Sequence, residues 1–224
     1  LSTFDFRLST LDSRLSTLEP LLSTPKPEPT MSLLEMLQQH LGGQAVDHIS
    51  QKLGTDRGTT SNAIEAALPL LLSAVARNAS NPQQAQSLDH AVSQDHDGSI
   101  LNDVAGFINR GGSSQDGAGI LGHILGGRQQ AVQTGLSQAT GLDTGKTAQL
   151  LTLLAPLVMG ALGRAKQERN LDAGGLSTLL AGEHEQLKAQ APGVMGALGR
   201  FLDKNNDGSV LDDVGGMLGK AFGR

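Results

Sequence analysis

Residues 41–77 read LGGQAVDHISQKLGTDRGTTSNAIEAALPLLLSAVAR, and residues 125–164 return to the same plan with LGGRQQAVQTGLSQATGLDTGKTAQLLTLLAPLVMGALGR. Gly42-Gly43, Ala45-Val46, Ser50-Gln51, Gly54, Asp56, Gly58 and Thr60 meet counterparts in Gly126-Gly127, Ala131-Val132, Ser137-Gln138, Gly141, Asp143, Gly145 and Thr147. Each copy then enters an apolar run interrupted by one proline, Pro69 or Pro156. Further out, DGSILNDV at 97–104 returns as DGSVLDDV at 207–214. Such self-similarity reads as two copies of one helical module.

The periodicity is that of helices throughout, and no run alternates with period two over β-branched residues. The expected fold is therefore all-α, with two tandem related small bundles, each around a proline-bent apolar helix. In the first module the pattern predicts helices near 33–41, 44–53, 61–78, 82–92 and 99–109. Gly54 is expected to end the second of these in a left-handed conformation. The expected domains are 31–110, a Gly/Ser linker at 111–118, and 119–224. Ile64, Leu68, Leu71, Leu72, Val75, Leu151, Leu154, Val158 and Leu162 are the expected core positions. Inside the second module, VMGALGR occurs twice, at 158–164 and at 194–200.

Residues 1–30 stand apart. Leu-Ser-Thr recurs at Leu1, Leu8, Leu15 and Leu22 and is followed by Pro25, Pro27 and Pro29. A short coiled coil with Leu1, Phe4, Leu8, Leu11, Leu15 and Leu18 on its seam is one reading. The preferred one is a repetitive, disordered leader upstream of a start at Met31, because Ser-Thr in every heptad makes a poor helix.

The chain has 224 residues and a formal charge of −5, which disfavours phosphate-rich partners. It has no Trp or Tyr and only five Phe, which disfavours stacking platforms for bases and sugar-binding faces. The absence of cysteine removes disulfides and thiolate chemistry, consistent with a cytoplasmic location. No signal peptide is evident, and the apolar run at 150–162 falls short of the ~20 residues that span a bilayer. Glycine reaches 29 residues, about twice the usual ~7%. Many lie inside apolar helical patterns, where each costs up to ~1 kcal/mol against Ala. Close helix–helix approach is the expected return.

The sharpest candidate metal site is a loop at 203–213. Asp203, Asn205 and Asp207 place oxygens at positions one, three and five of an EF-hand-like turn, with Gly208 at six and the Ser209 carbonyl at seven. Position twelve is Val214 where a bidentate Glu belongs, so Asp212 would have to close the loop and calcium would bind weakly. The competing reading makes Asp207-Gly208 a turn, with Ser209 and Asp212 capping a helix. The first copy, with Ser93, Asp95 and Asp97 followed by Asn102 and Asp103, carries fewer charges and promises less.

Other motifs fail for lack of context. Gly117-Ala-Gly119-Ile-Leu-Gly122 spells GxGxxG, and 141–147 approaches a P-loop, but no strand leads into either. The six histidines make no zinc or catalytic pattern. Residues 45–64 have helix-turn-helix spacing, although the would-be recognition helix turns almost wholly apolar.

The block at 41–75 and the DGSxLxDV segments resemble the YidB-like family of bacterial proteins of unknown function. That resemblance implies an all-α fold and bacterial origin, and it carries over no catalytic residues. The expectation is a non-catalytic interaction or scaffold protein that meets a protein partner or itself. A weak calcium-binding protein and a helix-turn-helix DNA-binding protein are the alternatives.

Overall fold

The computed structural model describes residues 31–112 and 114–190. The described elements run in the order α1 (Leu33–His40), α2 (Gln44–Leu53), α3 (Arg57–Ala79) and α4 (Pro82–Asp95), then a 3-10 turn (Ser99–Asp103) and α5 (Val104–Asn109). They continue with α6 (Ser114–Leu125), a 3-10 turn (Gly126–Arg128), α7 (Gln129–Thr140), α8 (Thr144–Arg169) and α9 (Ala173–Gln190). No strand occurs among the described residues, as the periodicity requires.

The long helices α3 and α8 start on the same device. Asp56 and Asp143 stand in extended conformation and accept from the amides of Thr59 and Lys146, at 2.8 and 2.9 Å. Thr60 and Thr147, both fully buried, donate their hydroxyls back to the carbonyls of those aspartates, each at 2.9 Å. The cap at Asp56 starts α3 four residues before the expected position, with Gly58 inside the first turn. Gly54 and Gly141 end the preceding helices at φ of 60° and 74°, the left-handed stop expected of Gly54.

Both helices continue through their prolines. A proline has no amide hydrogen, so the carbonyls of Glu65 and Thr152, four residues earlier, lose their helical donors. The runs 67–73 and 153–163 are buried at every residue, so neither helix has the single apolar stripe of a surface helix. Cover must come from all sides. All nine expected core positions are buried, none more than 4% exposed.

That need for all-round cover is met by packing the two halves of the chain together. One continuous core extends from Leu33 to Leu187, within a single compact unit. Helix α1 packs on α8 as well as on α3, and α9 lies chiefly along α3. The 3-10 turn at Ser99–Asp103 packs on α8. Two lysines stitch the halves further: Lys146 donates to the Gly54 carbonyl at 2.7 Å, and Lys166 pairs with the half-buried Asp89. The expected linker at 111–118 is likewise mostly helix, since α6 begins at Ser114 and Gly117 is buried against α8. By length and composition α8 could cross a bilayer, but 78% of its apolar window is buried, so the core accounts for its hydrophobicity.

Candidate functional site

Helices α3, α4, α6 and α8 leave a cleft of about 360 Å³ between them. Its walls are Val75, Leu88, Ala91, Ile120, Ile124 and Met159; Asn78, Gln84, Ser87, His96 and His123 supply the polar groups. The Asn78 amide fixes one edge by donating to the carbonyls of His123 and Ile124 at 3.1 and 3.0 Å. These carbonyls belong to the last turn of α6 and have no helical donor of their own. Burial holds the His96 imidazole below its ordinary pKa, against the opposing pull of the Asp95 and Asp116 carboxylates.

The acidic loop after His96 is seated on α8 through three glycines. A Cβ on Gly163 would lie 1.8 Å from the His96 carbonyl oxygen, and one on Gly160 would lie 2.3 Å from the Ile100 side chain. Gly98, at φ +89°, lies against the Arg164 backbone. The glycines of the first VMGALGR segment therefore admit a loop, where close helix–helix packing was expected. Helix–helix approach is the role of Gly117, whose Cβ would stand 2.1 Å from the Thr152 carbonyl oxygen.

The oxygens of this loop are engaged locally. Asp97 accepts from the Ser99 amide at 2.9 Å, and hydrogen bonds from the Ser99 side chain and backbone pull its carboxyl below the ordinary carboxylate value. Asp103 caps α5 by accepting from the Gly106 amide at 2.8 Å, and it also meets Arg110 at 3.3 Å. Asn102 accepts from Arg164 at 3.3 Å, while the Ser93 hydroxyl donates to the Asp89 carbonyl at 2.7 Å. Among the described residues, no three His, Cys, Asp or Glu side chains gather as metal ligands. The candidate calcium ligands Asp203, Asn205, Asp207, Ser209 and Asp212 lie outside the described residues.

The motifs set aside on sequence grounds have structural employment. Lys146 of the P-loop-like stretch reaches the Gly54 carbonyl, and Gly117, Gly119 and Gly122 all lie within α6. The helix that helix-turn-helix spacing would send into a DNA groove is α3, whose buried residues run from Thr60 to Ala79.

One buried charge carries no sequence signal. Glu183 on α9 is 6% exposed and accepts from the Leu33 amide at 2.9 Å, at the start of α1. A carboxylate there meets the positive end of the helix dipole. The two residues are 150 apart in sequence, so no local pattern marks them as partners.

An all-helical domain with an apolar cleft and a loop locked onto a glycine face is the class of protein these features define. A family model described as bacterial protein of unknown function (DUF937) matches residues 35–165, from within α1 to within α8. The chain belongs to that family. Neither the curated proteins nor the solved structures contain a match to it.

Proposed function

We propose that this is a non-catalytic bacterial interaction protein, a YidB-like module in duplicate, whose cleft receives the apolar stripe of a partner helix. The observation that supports the reading is the cleft itself: about 360 Å³, with aliphatic walls contributed by four helices. Pockets of a few hundred Å³ lined by aliphatic carbon suit apolar ligands and inserted side chains. The correspondence of α1–α3 with α6–α8, each set ending in an Asp-capped proline helix, supports the duplication. The buried face of α3 speaks against a DNA-reading role.

Ile124 is half-buried at the cleft and tests the reading. Ile124→Glu places a charge among aliphatic walls. Wild type and variant, matched by circular dichroism, are used as bait in extract from the native cells. A partner retained by wild type and lost with the variant is the expected result. Equal retention by both would remove the cleft from any interaction.

A further inference from the structure

Arg164, eight residues beyond Pro156, has two partners: its Nη1 donates to Asn102 at 3.3 Å, and its Nε donates to Glu168 at 2.9 Å. Arg77 holds the same position relative to Pro69 on α3. Among the described residues it has no counterpart of either partner. Where Arg164 has Glu168 one turn on, Arg77 has Asn81, whose side-chain oxygen caps α4 by accepting from Gln83 and Gln84. Among the described residues Arg77 takes part in no ion pair, and neither does Arg128. Burial, and then the neighbouring positive charge of Arg128, lower the Arg77 guanidinium below its ordinary value. Arg128 also stands at the N-terminus of α7, which has no side-chain cap and no acidic residue in its first turn. Asn78, next to Arg77, donates to the carbonyls of His123 and Ile124, which brings the end of α3 against the segment that leads into Arg128, so that two guanidinium groups collect on a chain whose net charge is −5.

The repeat supplies a matching anion. Aligning DGSILNDV with DGSVLDDV puts Asp212 where the first loop has Asn102, and Asp213 where it has Asp103. Residues 203–213 carry Asp203, Asp207, Asp212 and Asp213 against Lys204, a net −3. We propose that the Asp212-Asp213 segment of the same chain docks on Arg77 and Arg128, as Asn102 docks on Arg164. This inference rests on the duplication reading. The contact is through charge at the end of α3 and not through a buried seat. Ser73 and Ala76 replace Gly160 and Gly163 there, and α9 lies along this helix.

Reach is sufficient. Helix α9 starts beside the end of α3, where Ser177 donates to the Ala79 carbonyl at 2.8 Å. Its 18 residues carry the chain about 27 Å away, at ~1.5 Å each. The 22 residues from Gln190 to Asp212 can extend to roughly 70 Å, at ~3.3 Å each.

The chain has no cysteine, so an introduced pair reports the contact cleanly. Arg128→Cys with Asp212→Cys, in the full chain under chelator, leaves Arg77 and Asp213 to steer the segment. The expected product of mild oxidation is a disulfide within the monomer. Its yield should fall severalfold at about 0.5 M salt, where screening shortens the reach of charge to roughly 4 Å, and fall again when Arg77→Glu is added. No disulfide, one formed only between chains, or one indifferent to both salt and Arg77→Glu would overturn the docking. A second measurement uses the cysteine-free chain. If inorganic phosphate raises the Tm through Arg77 equally with and without Asp212→Asn and Asp213→Asn, the site serves an external anion and the proposal fails. Retention of a partner at the cleft is read at Ile124 and survives either outcome, so the two readings fail separately.

Discussion

Gly117 on α6 lies against the Thr152 carbonyl of α8, the oxygen left without a helical donor by Pro156. The proline opens the hydrogen-bond ladder on one helix, and the missing side chain on the other lets its backbone approach the freed oxygen. A Cβ at 117 would stand 2.1 Å from that oxygen and 2.9 Å from the Thr152 methyl.

Gly117→Ala must therefore push α6 from α8. Overpacking of this kind costs about 1–3 kcal/mol, and at ~2–4 °C per kcal/mol for a chain of this size the Tm should fall by roughly 2–12 °C. Gly119 and Gly122 lie on the same helix, and a Cβ at either would meet nothing within 4 Å. Alanine at either should hold or raise the Tm, since helical Gly costs up to ~1 kcal/mol. Thermal melts of the three variants test the contrast. Equal effects at all three positions would mean that Gly117 makes no special contact.

This contact marks where sequence reading stops. The periodicity around Pro69 and Pro156 identifies both core helices, and Gly54 marks a helix end, because these signals are local. The partner of Gly117 is not local: GxGxxG shows three glycines alike, and only packing distinguishes the first. The same holds for Gly160 and Gly163, whose spacing suits a helix but whose occupant is the His96–Ile100 backbone and side chain. Glu183 is harder still, since its partner is a backbone amide with no residue identity to read. The cleft is assembled from four helices, so its walls become neighbours only when the two halves share one core.

Gly163→Ala should damage the loop seat more than Gly160→Ala. At 163 the obstacle is a backbone carbonyl 1.8 Å away, which can move only with the whole loop. At 160 it is the end of the Ile100 side chain, which can rotate. Amide hydrogen exchange should show lost protection at Gly106, whose amide is held by Asp103 in the same loop, in the 163 variant first. Unchanged exchange in that variant would show that the loop is not held by the glycine face.

Glu183→Leu should destabilise the fold by about 1.5–3 kcal/mol, the usual loss for a hydrogen bond to a charged group. The Leu33 amide would lose its acceptor in a buried setting, and the start of α1 its complementary charge. Glu183→Gln keeps an acceptor oxygen and should cost less. Urea unfolding of both variants gives the comparison. A glutamine variant as unstable as the leucine one would place the effect in the charge and not in the hydrogen bond.

The pH dependence follows from two histidines. Burial lowers the pKa of His96, opposed by Asp95 and Asp116, with His123 also facing the cleft. Burial likewise lowers that of His184, assisted by Lys188 and Arg77 and opposed by Glu185; its Nδ1 is buried without a partner. Both groups hold protons less readily in the folded chain than in the unfolded one, whose histidines titrate near 6.5. The unfolded state thus binds more protons as pH falls below about 6.5, and stability is lost until the folded values are passed. Above that range the contribution is fully present. Asp56, Asp97 and Glu185 have lowered carboxyl pKa values, so their loss belongs to a separate window below about 4. Melting curves from pH 7.5 to 5 should therefore show a falling Tm, and His96→Gln should flatten part of the slope by removing one titrating group. A Tm that is level or rises over this range would mean that neither imidazole is kept neutral by the fold.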